Sequence, residues 1–429
     1  MAQRPNRFGE ELRRRRGDAA LSLSALGSRV GYSKSQLSKI ETGRVAPNRT
    51  LARLCDTVLG ARGELAALVP EAPVPAEPAP PVNGDEEVWS MSPSSDDQNR
   101  FPSLTRRQAM TAGAVSAAGM GIGRPILSSA AENGTLLGVS RSLFDQYRKL
   151  GQTVEPGVLL PVLVAQTHTL RELSQRAGSR TRQALLRLGS RYAEYVGWLV
   201  QETGDDQNAL WWTRRAVDLA EAGEDRDLAA YSSVRHALIT LYRDDAPQTI
   251  ELAQRAQERR APHRIRGLAA QREAQGHALA GDYDATMRCL DRARMLLARH
   301  VPDSDAPVIG TMHLPDPAEM VRGWCLYDLG RPGTAAEVID RQLVRVPGHA
   351  VRTQVRYGVR RALALATAGE VDHACHLTRE LLDDTVAVGT ATIATDLRSL
   401  ARTLARHPRN RSVRDLLPAL GTALHTIVP

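Results

Sequence analysis

Lysine is nearly missing from this chain. Of 56 basic residues in 429, three are lysine (Lys34, Lys39 and Lys149) and 53 are arginine, a bias expected of a GC-rich bacterial genome. Cysteine is scarce as well: Cys55, Cys289, Cys325 and Cys375 are scattered without a pairing pattern, which excludes a disulfide framework and fits reduced, buried, intracellular thiols. No apolar run reaches the roughly 20 residues that a spanning helix needs, so a soluble, cytoplasmic protein is expected. Strand signals all but vanish after Thr135. "GMGIGRP" has glycines but neither a preceding strand nor the lysine of a phosphate loop. His373 and His376 lie three apart beside Cys375, yet two imidazoles make an incomplete metal site. No nucleophile with a partnering base is apparent. The expectations are no enzyme, no cofactor and no metal.

Two of the three lysines fall in "YSKSQLSKIETGR", Tyr32 to Arg44, where only Leu37 and Ile40 are aliphatic. Their spacing gives one narrow stripe for a core and leaves the rest of the helix circumference exposed. Ser33 followed by Gln36 reads as a capping box. Upstream, "LSLSALGSRVG" offers Ser22 as a cap, Leu23, Leu26 and Val30 at helical spacing, and Gly31 as the stop. Charge is dense here: residues 1–65 hold 13 basic against 6 acidic residues, a net +7, while residues 66–103 carry −6.

The spacing of Leu26, Gly31, Ser33, Leu37, Ile40, Glu41 and Gly43 resembles the Xre-type, lambda-repressor-like helix-turn-helix over residues 7 to 68. The resemblance implies five helices, near Arg7 to Arg16, Leu23 to Val30, Lys34 to Glu41, Arg49 to Leu59 and Gly63 to Leu68. It also implies that the third enters the major groove of double-stranded DNA. Lys34, Ser35 and Lys39 are then the base readers. Gln36 is either a reader or the cap. Thr42 and Arg44 would meet phosphate, as would the run Arg13, Arg14, Arg15 and Arg16, where each neutralised phosphate steepens the salt dependence. For Arg44 and the arginine run a solvated face is the competing reading. Leu12, Leu26, Val30, Leu37, Ile40, Leu51, Leu54 and Val58 are expected as core.

From Pro70 to Ser103 the chain is rich in proline, acid and serine, and too poor in aliphatics to offset its ordering entropy; it reads as a disordered tether. "LTRRQAMTAGAVSAAGMGIGRP" follows and looks like a twin-arginine export signal at Arg106 and Arg107. Its internal position, and Ala109 in place of the usual phenylalanine, argue against export.

Beyond Thr135 a small-residue turn recurs near positions 204, 244, 281, 330 and 369, with an insertion at 300–317 accounting for one long interval. In each copy glycine or an acidic pair ends one helix, a polar residue caps the next, and an alanine follows. The pattern resembles degenerate tetratricopeptide repeats, which implies an α-solenoid of helix pairs with a long concave groove lined by the first helix of each pair. Arg187, Arg191, Arg235, Arg272 and Arg356 are candidate groove residues for an acidic peptide, a carboxylate or an acidic protein patch. Exposed, paired helix charges are the plainer reading of each. Tyr192, Tyr195, Trp198, Trp211 and Trp212 read as inter-repeat core.

The fold expected is thus all-α: a helix-turn-helix domain over 1–69, a linker over 70–135 and a repeat array over 136–429. The combination resembles the RRNPP regulators, in which a signalling peptide entering the groove alters the disposition of the DNA-binding domains. The function implied is a homodimeric, sequence-specific transcriptional regulator whose array senses a peptide, a small ligand or a protein partner. The alternatives are an interaction scaffold localised by its DNA-binding module, and a membrane-tethered regulator.

Overall fold

The computed structural model describes residues 7–69, 130–258, 261–300 and 307–427, and every regular element among them is an α-helix. The expected tether and the twin-arginine-like segment at Arg106 and Arg107 lie outside the described residues. No described helix is long and apolar enough to cross a membrane.

Five helices form the N-terminal unit: α1 (Arg7–Asp18), α2 (Leu23–Val30), α3 (Lys34–Glu41), α4 (Arg49–Leu59) and α5 (Glu64–Ala67). The local chemistry fixes their ends. The Ser22 hydroxyl accepts the Ala25 amide to start α2, and Gly31 stops it at φ 68°, a left-handed conformation that costs glycine least. Ser33 and Gln36 close a reciprocal capping box at α3, each side chain accepting a backbone amide of the other residue. Asn48 caps α4 by accepting the Leu51 amide. Leu12, Leu26, Val30, Leu37, Ile40, Leu51 and Leu54 are buried together with Phe8 and Leu65, while Val58 is only partly covered.

The second unit begins at α6 (Ala130–Leu150), six residues before the boundary expected from sequence, and continues through α7 (Pro156–Arg176). Helix pairs follow: α8 (Ser179–Glu202) with α9 (Asp206–Ala222), α10 (Arg226–Tyr242) with α11 (Ala246–Arg255), and α12 (His263–Ala280) with α13 (Tyr283–Ala298). Next come α14 (Pro317–Asp328) with α15 (Pro332–Leu343), α16 (Val351–Ala368) with α17 (Val371–Val388), and α18 (Ala391–Leu404) with α19 (Arg411–Ile427). Consecutive helices pack on each other from α7 to α17, while α6 packs on α8 and α18 on α16. Each of the five expected turns carries a residue at positive φ: Gly204, Asp244, Gly281, Gly330 and Gly369. In the acidic pair of the second turn, Asp244 takes the left-handed conformation and Asp245 is the cap that accepts the Gln248 amide.

One expectation fails. The array does not leave a long open groove, because its two ends meet. The Arg352 guanidinium donates to the carbonyls of Gly151 and Val154, and Glu202 at the end of α8 accepts from Arg356 of α16 and Thr392 of α18. Helical curvature alone did not decide this; the closure rests on a buried arginine reaching carbonyls some 200 positions earlier in the chain.

Candidate nucleic-acid interface and array cavity

Helix α3 divides its residues cleanly. Leu37, Ile40 and Glu41 are buried, whereas Lys34, Ser35, Gln36 and Lys39 are exposed and share the outward side. The inward side is pinned by charge as well as by apolar contact: Arg16 of α1 donates to Glu41 at 2.7 Å and to the Leu21 carbonyl at 2.8 Å. That ion pair clamps α1 to the end of α3 and fixes the direction in which the lysines point.

The arginine run is therefore not one uniform strip. Arg16 serves the Glu41 clamp, and Arg15 is paired with Glu11 and Glu64. Arg13 and Arg14 are the exposed members, Arg13 3.5 Å from Glu41 and Arg14 with Glu11 and Asp18. Gln36 lends its carbonyl oxygen to the Ser33 amide at 3.0 Å, so the cap uses its acceptor. Thr42 and Arg44 are exposed just past α3; the Thr42 hydroxyl donates back to the Ser38 carbonyl at 2.8 Å.

The opposite side of this unit rests on the row of array turns. Arg53 of α4 meets Asp328 at 3.1 Å, with both side chains more than 90% buried, and the Thr57 hydroxyl donates to the Leu329 carbonyl at 2.7 Å. Arg49 donates to the Asp244 carbonyl, Gly63 abuts Gly281, and Arg406 lies over the Tyr32 ring at 4.0 Å. Burial pushes the Asp328 carboxyl up to about 6 even though Arg53 and Arg360 pull it down. Nothing in the sequence marked this contact, because turn residues selected for left-handed backbone double as its floor. The lysine-bearing side of α3 remains exposed in this arrangement.

Inside the closed array lies a cavity of about 170 Å³, lined chiefly by the first helix of each pair. Of the five arginines expected there, Arg235, Arg272 and Arg356 line it. Arg187 and Arg191 do not: Arg187 donates to the Gly223 and Glu224 carbonyls, and Arg191 forms a buried pair with Asp225 at 2.7 Å, so both brace the turn between α9 and α10. Arg148 and Arg352, unmarked in the sequence reading, complete the set. Arg148 donates to the carbonyls of Val308 and Gly310 and thereby holds the end of the insertion against the wall. The aromatics also divide. Tyr192, Tyr195 and Trp212 belong to the buried core with Trp198 and Trp211 packed against it, and Tyr195 and Trp198, stacked at 5.5 Å, also line the cavity.

His373 and His376 are exposed, His376 beside Glu380 at 3.4 Å, and Cys375 is buried on another side of α17. Glu273, His277 and Cys289 bring one ligand atom each within 4.8 Å, but Arg292 already stands among them, bonded to Glu273 and 3.1 Å from the Cys289 sulfur. A guanidinium there supplies the positive charge that a metal would otherwise bring. No curated protein and no solved structure matches the chain. Residues 7–69, the five-helix unit with the exposed lysines, match the helix-turn-helix domain family.

Proposed function

We propose that the chain is a sequence-specific DNA-binding transcriptional regulator that acts as a homodimer on a two-fold-related site, and that its tetratricopeptide-like array senses a ligand. The observation that carries the reading is the outward side of α3, where Lys34, Ser35 and Lys39 are exposed while the helix is locked from behind by Leu37, Ile40 and the Arg16–Glu41 pair. Lysine donates to guanine O6 and N7, and serine adapts to several bases, so G·C pairs belong in each half-site. Arg13, Arg14, Thr42 and Arg44 flank that side and would position it on phosphate.

Sensing is supported by one helix. Along α14, Val321 and Trp324 line the cavity while Asp328, one turn beyond Trp324, holds Arg53 of the helix-turn-helix domain. A ligand in the cavity would thus act on the element that seats the DNA-binding unit.

The test is selection of bound duplexes from a random pool by the full-length protein, followed by affinity measurements. Lys34→Ala with Lys39→Ala should reduce the preference for the selected site by about 10- to 100-fold while the circular-dichroism spectrum stays helical. Unchanged selectivity would refute the assignment.

A further inference from the structure

The array cavity is charged in a way its own carboxylates do not balance. Five guanidiniums line it, Arg148, Arg235, Arg272, Arg352 and Arg356, against Glu194 in the wall and Glu202 behind Arg352 and Arg356. Arg235 is 2% exposed, and its Nε and one terminal nitrogen lack a hydrogen-bond partner among the described residues; Glu194 lies 3.6 Å away. Gln271, equally buried, has an unpartnered amide nitrogen in the same wall. Arg272 has no carboxylate within 4.0 Å among the described residues and donates to Gln275 alone. Burial pulls the guanidiniums of Arg148, Arg272 and Arg352 below their usual range, and Arg235 adds its repulsion to Arg272. Cations buried without counter-charge are costly, so folds keep them where an anion arrives.

Shape narrows the anion. Tyr195, Trp198 and Trp324 give the cavity an aromatic lining, with Arg352 over the Trp198 ring and Arg360 over the Trp324 ring. A volume of about 170 Å³ holds roughly a dozen water-sized groups, and the contacts from Arg352, Arg356 and Thr392 that join the array's ends leave no open groove for an extended chain.

We propose that this cavity binds a small aromatic acid, with its carboxylate or phosphate facing Arg235 and Arg272 and its ring lying among Tyr195, Trp198 and Trp324. The proposal gives a ligand class to the sensor reading above and rests on it only for the consequence at DNA.

Thermal unfolding of the full-length protein tests it, with benzoate, phthalate, indole-3-acetate and phenyl phosphate as probes beside benzamide, indole-3-acetamide and a tetraglutamate peptide. At a hundred times its dissociation constant, a fitting acid should raise the Tm by roughly 3 °C. The amides should not, and carboxylate against phosphate is decided by which acids act. Arg272→Gln should lose the shift, and Arg272→Lys should retain part of it. The proposal is overturned if no acid shifts the Tm, if the amides shift it equally, if the Arg272→Gln protein, shown to be folded, responds like the parent, or if only the peptide acts. Duplex affinity measured with and without the active acid is a separate readout: an unchanged affinity sinks the sensor reading and leaves the cavity assignment standing.

Discussion

Replacing Gly330 by alanine should lift the helix-turn-helix domain off the array. An added Cβ would stand 2.6 Å from the Thr57 hydroxyl and 2.7 Å from the Arg53 carbonyl oxygen, and the latter is backbone that cannot rotate away. Gly369→Ala supplies the control, because its φ of 96° demands at least as much left-handed strain as the 74° of Gly330, yet a Cβ there meets no heavy atom within 4 Å. The strain common to both is about 1–2 kcal/mol. Only Gly330→Ala additionally forces apart the buried Arg53–Asp328 pair and the Thr57 bond to Leu329, together worth about 3 kcal/mol, or roughly a hundredfold in the docking equilibrium. Spin labels at Arg29→Cys and Glu337→Cys, both exposed sites in a chain whose native thiols are all buried, read the two populations directly. A long-distance component should grow with Gly330→Ala and not with Gly369→Ala. Identical distance distributions in the two variants would show that the turn row does not seat the domain.

Arg13→Ala with Arg14→Ala should weaken all duplexes alike and lower the steepness of the salt dependence by up to about two ions' worth, whereas Glu41→Ala should destabilise the domain itself by roughly 2–4 kcal/mol because it strands Arg16. Salt titrations and thermal melts separate the two effects; a sequence-dependent loss in the first would contradict its phosphate role. Burial works to raise the Glu273 carboxyl, but bonds from His277, Gln257 and Gln254 and the charge of Arg292 outweigh it and hold it at about 2. A carboxylate held below its ordinary 4.5 gives stability that is complete above pH 4.5 and is lost as pH falls through 2. Glu273→Gln should therefore flatten the pH dependence of unfolding in that window, and an unaltered slope would refute this account.

The helix ends and the small core were legible because local rules set them. Ser22, Ser33 and Gly31 act within one turn of themselves, and the bounds of α2 and the start of α3 fall where the caps put them. The turns at Gly204, Asp244, Gly281, Gly330 and Gly369 were legible for the same reason. What the chain does over distance was not. Arg191 and Arg235 both sit on first helices of pairs and carry the same local signature, yet one braces a turn through Asp225 and the other faces the cavity. Helical periodicity names a side of a helix, not which neighbour will stand opposite it. Arg352 was missed because its partners are the backbone carbonyls of Gly151 and Val154, which carry no sequence signal at all.

The cavity and the domain seat share α14, and the energies bound what that can achieve. The seat is held by the buried Arg53–Asp328 pair, the Thr57 hydroxyl bond, the Arg49 bond to the Asp244 carbonyl, Arg406 over Tyr32 and close glycine contacts, the first two worth about 3 kcal/mol together. A ligand that stabilises one position of α14 can change the docking equilibrium only by its own preference between positions, so a hundredfold change needs a hundredfold difference in its affinity. An acid neutralising Arg235 and Arg272 acts beside Trp324, four residues and one helical turn before Asp328. Burial pushes the Asp328 carboxyl up to about 6, against the pull of Arg53 and Arg360. By reciprocity the duplex must change the acid's affinity by the same factor that the acid changes the duplex's, and titrating the acid with and without bound duplex measures that factor without reference to transcription. Equal affinities in the two titrations would mean that α14 transmits nothing.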